Sequence, residues 1–214
     1  MRVLITGSSH GIGKATAIKF IAEGHTVIGI DNDVCRIFHP NYTHYQCSIT
    51  DTRLPDLEPI DILINNAGVQ NSKDDIDINL KGTINITKKY AHANMKSILF
   101  QASVSAHNGA EFPEYVASKG GVLAYMKYVA QLLGKEGVTV NSISAGGVLT
   151  PLNSHIISDK VLYDQVLDET LMHKWATPEE IAEWTYFITV VNDSMTGQDI
   201  IIDNGEMLKA NFIW

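Results

Sequence analysis

The sequence is poor in cysteine and in charged residues, and its positive charges are outnumbered by negative ones. Its 214 residues include two cysteines, and charged side chains make up 19%. Cys35 and Cys47 fit neither a disulfide framework nor a zinc-ligand spacing, so we expect buried thiols in a reducing compartment and no metal site. The formal net charge of −8 argues against a nucleic-acid partner, which needs a basic face on the protein.

Long hydrophobic runs are also absent from the sequence. No apolar run approaches the roughly 18 residues of a membrane helix, and the apolar start at residues 3–5 is too short for a signal peptide. A hydrophobic content of 45%, with 16 glycines and 6 prolines, excludes disordered and collagen-like chains. We therefore expect a cytoplasmic globular protein with no membrane partner. Because no repeat, linker or shift in composition marks a boundary, a single domain over residues 1–214 is predicted.

Strand-like and helix-like segments alternate along the chain. An apolar run at 2–6, a helical pattern at 12–21 that ends before Gly24, and a second apolar run at 26–30 form one βαβ unit. Further strands are predicted at 43–47, 60–65, 97–102, 138–143 and 199–202, and helices at about 77–95, 114–134, 159–171 and 178–191. This alternation predicts an α/β fold, with a doubly wound parallel sheet of the Rossmann type covered on both faces.

A glycine-rich turn follows the first predicted strand and reads Thr6-Gly7-Ser8-Ser9-His10-Gly11-Ile12-Gly13. Glycines let the backbone pass close under a pyrophosphate, and the N–H groups at the start of the next helix favour its negative charge. The alternative is that these glycines serve only a tight connection from the strand to the helix. The position of the turn within a βαβ unit favours dinucleotide binding.

Asp31 ends the second predicted strand of this unit. An acidic side chain there can accept hydrogen bonds from the adenosine ribose hydroxyls and repels a 2′-phosphate, which predicts NAD rather than NADP. The alternative is that Asp31 only shapes the turn Asp31-Asn32-Asp33.

Tyr115 and Lys119 lie four residues apart at the start of the predicted helix 114–134, so their side chains share one face. A phenol titrates at about pH 10, and a neighbouring ammonium group favours the phenolate. Such a tyrosine can act as a general acid or base. A plain surface pair has the same spacing, so the rest of the chain has to decide between the two.

Several further motifs occur in order along the chain. They are Asn65-Asn66-Ala67-Gly68, Asn79-Leu80-Lys81-Gly82, Ser103, Tyr115-Val116-Ala117-Ser118-Lys119, Val140-Asn141 leading to Gly146 and Thr150, the helix start Thr177-Pro178-Glu179-Glu180-Ile181-Ala182, and Thr196-Gly197-Gln198. With the glycine-rich turn, they make the sequence resemble the short-chain dehydrogenase/reductase family over nearly its whole length, including its 3-oxoacyl reductase-like and alcohol dehydrogenase members.

The resemblance implies a catalytic tetrad. In it Tyr115 is the acid/base and Ser103 hydrogen-bonds the substrate oxygen. Lys119 holds the nicotinamide ribose and lowers the pKa of Tyr115, and Asn79 supports a water relay. Ser105 could be mistaken for the catalytic serine, but the end of the predicted strand should aim Ser103 at the cleft.

The resemblance also implies the cofactor contacts. They come from Gly7, Gly11, Ile12, Gly13, Asp31, Ser48, Ile49, Asn66, Ala67, Gly68, Tyr115, Lys119, Val148 and Thr150. For Asn65, Gly68 and Asn141 a purely structural role is the alternative, and for Asn141 we favour it.

The sequence departs from the family pattern at several positions. Ser48 stands where an Asp or Asn usually reads adenine, Ala145-Gly146 replaces Pro-Gly, and Asn204 replaces a glycine. The chain is also short after Asp31, after Asp51 and between Gly68 and Asn79. The first two gaps leave too few residues for full crossover helices, and the third predicts a more open pocket.

The implied function is NAD-dependent interconversion of an alcohol and a carbonyl compound. We expect a small-molecule substrate, neutral by preference, because the predicted substrate loop 151–176 contains only Lys160 and Lys174 as basic residues. The alternative is a catalytically silent NAD(H)-binding regulatory or scaffold protein of the same fold.

A homotetramer or homodimer is also expected. The helices 77–95 and 114–134 carry more apolar side chains than one face of a sheet should cover, and the family pairs these helices between subunits. The apolar side chains are Ile84, Ile86, Tyr90, Val122, Leu123, Tyr125, Met126 and Val129. The alternative is that all of them belong to the core.

Overall fold

The structure, a computed structural model, describes residues 1–208. Its centre is a seven-stranded sheet in which every pair of neighbouring strands is parallel. The strands are β1 Arg2–Thr6, β2 Thr26–Asp31, β3 Tyr42–Gln46, β4 Ile62–Asn65, β5 Ser97–Gln101, β6 Thr139–Ala145 and β7 Asp199–Ile202. Their order in the sheet is β3-β2-β1-β4-β5-β6-β7. The predicted doubly wound parallel sheet is confirmed.

The helices connect the strands and cover both faces of the sheet. They are α1 Gly11–Ala22, a π-helix Ile76–Gly82 continuing as α2 Thr83–Tyr90, α3 Ser105–Asn108, α4 Pro113–Leu133, α5 Ser154–Ile157, α6 Lys160–Leu167, and α7 Pro178–Tyr186 continuing as a second π-helix Phe187–Val191. Short 3₁₀ turns occupy Gly134–Glu136, Pro151–Asn153 and Glu206–Leu208. No helix within residues 1–208 is both long and apolar enough to cross a bilayer.

Two apolar clusters lie on opposite faces of the sheet. One contains Leu4, Leu63 and Phe100, and the other contains Val3, Phe20 and Ile64. Successive residues of a strand point to opposite faces, so Leu63 and Ile64 lie in different clusters. Both faces of the central strands are therefore buried, which explains why these strands are nearly continuous hydrophobic runs.

The shortened segments form no helix, as predicted. Residues 32–41 join β2 to β3, and residues 47–61 join β3 to β4, without helical structure. Cys35 and Cys47, in these segments, are free and only half-buried. The expectation of buried thiols is wrong because no crossover helix covers this end of the sheet.

The predicted helix 77–95 differs from the structure in two ways. It ends at Tyr90, and it begins as a π-helix. The apolar side chains predicted to form a subunit interface mostly belong to the chain's own core. Buried there are Ile86, Tyr90, Val122, Met126 and Val129. The alternative, that these side chains belong to the core, is therefore correct for these five residues, because α2 and α4 pack directly on the sheet.

Candidate active site

The carboxyl ends of β1 and β4 form the centre of a cleft of about 530 Å³. The sheet order reverses between these strands, since β2 and β3 lie on one side and β5 to β7 on the other. Open α/β sheets bind ligands at such a reversal. Thr6 Oγ1 accepts the backbone N–H groups of Asn66 and Ala67, each at 3.0 Å. These bonds hold the two strand ends together beneath the cleft.

The glycine-rich turn forms one wall of this cleft. Gly7 and Gly11 adopt φ of +69° and +49°, which disfavour a side chain and so explain glycine at both positions. No described side chain caps the N-terminus of α1, and a helix leaves its first N–H groups without partners inside the helix. These donors, with Gly11 and Ile12 lining the cleft, fit a pyrophosphate.

Asp31 lies at the end of β2 and lines the same cleft. Its two carboxylate oxygens accept backbone N–H groups, Oδ2 from Ser9 at 2.8 Å and Oδ1 from Asp33 at 2.9 Å. A carboxylate has acceptor sites for about four hydrogen bonds, so two remain. Asp31 therefore shapes the turn, as the alternative interpretation proposes. Its two remaining acceptor sites leave ribose binding as a prediction.

The remaining predicted cofactor residues also surround the cleft. Lining it are Ser48, Ile49, Asn66, Ala67, Gly68, Val148 and Thr150. Asn66 Nδ2 donates to the carbonyl oxygens of Thr6 and Gly7 at 3.0 and 3.2 Å. By contrast, Asn141 binds Met195 O and Gln198 N. The structural role favoured for Asn141 is therefore correct. Gly13 is buried inside α1 rather than lining the cleft.

Ser103, Tyr115 and Lys119 converge on the opposite wall, next to Gly68. Ser103 follows β5, while Tyr115 and Lys119 lie in the first two turns of α4. The Lys119 Nζ atom lies 5.6 Å from the centre of the Tyr115 ring and donates to Gln101 O at 2.9 Å. Lys119 is 5% exposed. The structure thus puts the nearly buried amino group of Lys119 beside the Tyr115 phenol, as the sequence predicts.

Burial determines how these two groups titrate. It raises the pKa of Tyr115 to about 12, while hydrogen bonding to Ser103 lowers this pKa and the charges of Glu111 and Asp75 raise it. Desolvation by burial lowers the pKa of Lys119 to about 8, against the opposing charge of Asp75. In this structure desolvation of the phenolate dominates, so the pKa of Tyr115 lies above its ordinary value. A lowering of this pKa by Lys119 stays a prediction.

Asn79 lies within the π-helix Ile76–Gly82 and is 1% exposed. Its Oδ1 accepts the N–H of Val69 at 2.8 Å, and its Nδ2 donates to Val69 O at 2.9 Å and to Ser118 Oγ at 3.0 Å. A π-helical turn inside a longer helix is frequent at functional sites. Here it brings the Asn79 amide against α4, one residue from Lys119.

A family model described as enoyl-(acyl carrier protein) reductase matches residues 48–206. The chain belongs to the short-chain dehydrogenase/reductase family. An acetoacetyl-CoA reductase of Paracoccus denitrificans is 30% identical to it, over 86% of this chain and 88% of the relative. A 3-oxoacyl-[acyl-carrier-protein] reductase of Thermotoga maritima is 29% identical, over 94% and 96%.

The solved structure of a 4-hydroxyisoleucine dehydrogenase mutant, complexed with NADH and succinate, superposes on the chain with a TM-score of 0.87. It is 26% identical, and the match covers 99% of this chain and 100% of that one. These short-chain dehydrogenase/reductase relatives are all named as reductases or dehydrogenases. The chain is accordingly an oxidoreductase that acts on alcohol or carbonyl groups, and nothing among the relatives supports the catalytically silent alternative.

The short-chain dehydrogenase/reductase cleft also contains residues that the sequence did not indicate. They include three carboxylates, Glu111, Glu169 and Glu206, and Gln101, whose carbonyl oxygen accepts from Lys119. Burial raises the pKa of Glu206, an effect that a hydrogen bond from Gly147 opposes. The short acidic segment between Ser103 and Tyr115 is the one sequence signal that could have indicated Glu111.

Proposed function

We propose that the chain interconverts a secondary alcohol and a ketone or aldehyde in an NAD-dependent reaction with Tyr115 as the acid/base. The observation that carries this proposal is the convergence of Ser103, Tyr115 and Lys119 beside a glycine-rich helix N-terminus. A bound nicotinamide dinucleotide supplies the hydride acceptor or donor. Its phosphates would be held by the N-terminus of α1, and its adenosine ribose by Asp31.

The side chains of the cleft have distinct roles in this proposal. The hydroxyl of Tyr115 gives a proton to the substrate oxygen during reduction and takes it back during oxidation. Ser103 donates a hydrogen bond to the same oxygen. Lys119 provides positive charge over the phenol ring and can bind the nicotinamide ribose. Asn79 positions Val69 and Ser118 around these groups.

The charge of the cleft restricts the substrate. Glu111, Glu169 and Glu206 line the cleft, and among the described lining residues Lys119 is the sole Lys or Arg. We therefore expect uncharged or positively charged substrates to bind better than anionic thioesters. A screen of alcohols and ketones, followed by NADH fluorescence, tests the function. It should include coenzyme A thioesters, whose faster turnover than that of neutral ketones would contradict this expectation.

The Asp31→Ala variant is expected to narrow the preference for NADH over NADPH by about tenfold. The substitution removes the charge that repels a 2′-phosphate and the acceptor for the ribose hydroxyls, and tenfold corresponds to one such interaction. The measurement is the ratio of dissociation constants from fluorescence titration. Asp56→Asn, which removes an exposed charge outside the cleft, is the control. Tighter binding of NADPH than of NADH by the unaltered chain would refute the proposed cofactor.

The two reaction directions are expected to respond oppositely to pH. Because burial raises the pKa of Tyr115 to about 12, the phenol is a proton donor at neutral pH. Carbonyl reduction needs this protonated form and should fall as the pH rises, whereas alcohol oxidation needs the phenolate and should rise. Initial rates in both directions, measured over a pH series, check this. Parallel profiles in the two directions would show that another group moves the proton.

We further propose that the chain forms a homodimer or homotetramer through the outer face of α4. Tyr128 and Leu132 on this face are 59% and 52% exposed, and Tyr125 stacks on Tyr128 with ring centres 6.1 Å apart. The chain mass is 23.6 kDa. Sedimentation equilibrium should give a multiple of it, and Leu132→Glu should shift the protein toward the monomer. A wild-type monomer at micromolar concentration would rule out this assembly.

A cytoplasmic location is proposed as well. Its support is the pair of free cysteines, Cys35 and Cys47, since thiols persist in reducing compartments. Fractionation of cells that express the tagged protein tests this location.

A further inference from the structure

A hydrogen-bonded chain leads from the catalytic serine to a carboxylate that none of the proposed catalytic steps uses. Ser103 Oγ lies 3.0 Å from Ser105 Oγ, and Ser105 Oγ donates to Glu111 Oε2 at 2.6 Å. The backbone N–H of Ser105 also donates to Ser103 Oγ at 3.2 Å. Ser105 is 1% exposed and does not line the cleft. It therefore contacts Ser103 without itself lining the cleft.

The carboxylate of Glu111 determines which hydroxyl donates in this row of hydrogen bonds. A carboxylate offers only acceptors, and a serine hydroxyl has a single proton. Because Ser105 donates that proton to Glu111, its hydroxyl cannot donate to Ser103, and its backbone N–H donates to Ser103 Oγ instead. These contacts fix the position of the Ser103 oxygen and leave its single proton for the substrate oxygen.

The backbone at Glu111 is strained. Its φ is +79°, a value that suits glycine and costs other residues about 1 kcal/mol or more. Glu111 lies between α3 and α4, after Gly109, which ends α3 with φ +70°. Gly109 already turns the chain here, and a glycine at position 111 would adopt the same φ as Glu111 without strain. Strain of this kind persists where the surrounding structure imposes it, and it clusters at functional sites.

We propose that Glu111, acting through Ser105, is a positioning residue that fixes the hydroxyl of Ser103 beside Tyr115. This inference rests on the proposed function of Ser103 and Tyr115. It adds Ser105 and Glu111 to the reaction without assigning either a contact to the substrate.

Two substitutions test this role, and the first of them removes the carboxylate without adding backbone strain. Glu111→Gly removes the carboxylate but suits the observed φ, so the melting temperature should stay within about 3 °C of the wild type. Its kcat should nevertheless fall about tenfold, the effect of one hydrogen bond lost from the reacting geometry. Ser105→Ala should lower kcat equally, and the double variant should be no slower than either single one. KM for the substrate should change less than kcat.

A second readout does not depend on turnover. The negative charges of Glu111 and Asp75 both raise the pKa of Tyr115, while hydrogen bonding to Ser103 lowers it. Lys119 Nζ lies over the ring, but its own pKa of about 8 leaves it uncharged where Tyr115 titrates. Glu111→Gln should therefore shift the titration of Tyr115 to lower pH, as followed by NMR of ¹³Cζ-labelled tyrosine and assigned with Tyr115→Phe. Glu114→Gln, which removes an exposed charge outside the cleft on the same helix, should leave it unchanged.

The outcomes distinguish this inference from the proposed function. An active wild type that loses activity on Tyr115→Phe but keeps full kcat in Glu111→Gly and Ser105→Ala overturns the positioning role alone. Additive losses in the double variant, or a change confined to KM, would also overturn it. A wild type without activity on the whole panel overturns the proposed function. In that case the Tyr115 titration still decides whether Glu111 acts on this group.

Discussion

Replacement of Tyr115 by Phe is expected to lower kcat about a thousandfold, within the range contributed by a positioned general acid. The phenol ring packs beneath Lys119, with Nζ 5.6 Å from its centre, and phenylalanine keeps that ring while removing the hydroxyl. The fold and the affinity for NADH should therefore be unchanged. Steady-state kinetics with circular dichroism and NADH fluorescence measure these three properties.

The same helix offers a matched control for this substitution. Tyr128 also lies in α4 but is 59% exposed and outside the cleft, so Tyr128→Phe removes an equivalent hydroxyl without touching the reaction. It should keep wild-type kcat. Retention of more than a few per cent of turnover in Tyr115→Phe would remove Tyr115 from its proposed role.

Gly13→Ala is expected to destabilise the protein by about 3 kcal/mol, the upper part of the range for overpacked sites. A Cβ at Gly13 would overlap the carbonyl oxygen of Gly7 and come 2.5 Å from Asn66 Nδ2. These groups belong to the strand ends beneath the cleft, so they cannot move without opening it. The melting temperature should fall by about 10 °C, and NADH affinity should fall with it.

Gly134→Ala provides the comparison for this effect. Gly134 has helical φ and ψ of −61° and −33°, and a Cβ there would meet nothing within 4 Å. Alanine at such a position stabilises a protein by up to about 1 kcal/mol. The two alanines should therefore shift the melting temperature in opposite directions in calorimetry. A Gly13→Ala protein as stable as the wild type would show that the turn can relax.

The parts of the site that the sequence predicts well are those that depend on local spacing. Gly7 and Gly11 occupy positions with positive φ, and Tyr115 and Lys119 lie on one helical face, because turn geometry and helical period are short-range properties. The parallel sheet also follows from the alternation of strands and helices. Asn79 was placed in a helix, but its π-turn was not predicted, since the extra residue in the turn depends on contacts with Val69 and Ser118.

The acid/base properties of the cleft could not be predicted from the sequence. Spacing brings Lys119 close to Tyr115, but the direction of the pKa shift depends on how much water the fold removes from the phenol. Glu111 was missed for a related reason. Its approach to Ser105 depends on a left-handed backbone conformation, which a glutamate does not signal in a sequence.

Because no crossover helix covers β3, this edge of the sheet should open locally more easily than the rest of the sheet. Within residues 1–208 this edge strand pairs only with β2, and its side chains are half-buried or exposed. A region with so few buried contacts should exchange its amide hydrogens through local openings well below the global unfolding energy. Asp31 and Ser48 flank β3, so a nucleotide bound there would favour the closed state by mass action. Local opening of this uncovered edge strand would thus depend on whether the cofactor is bound.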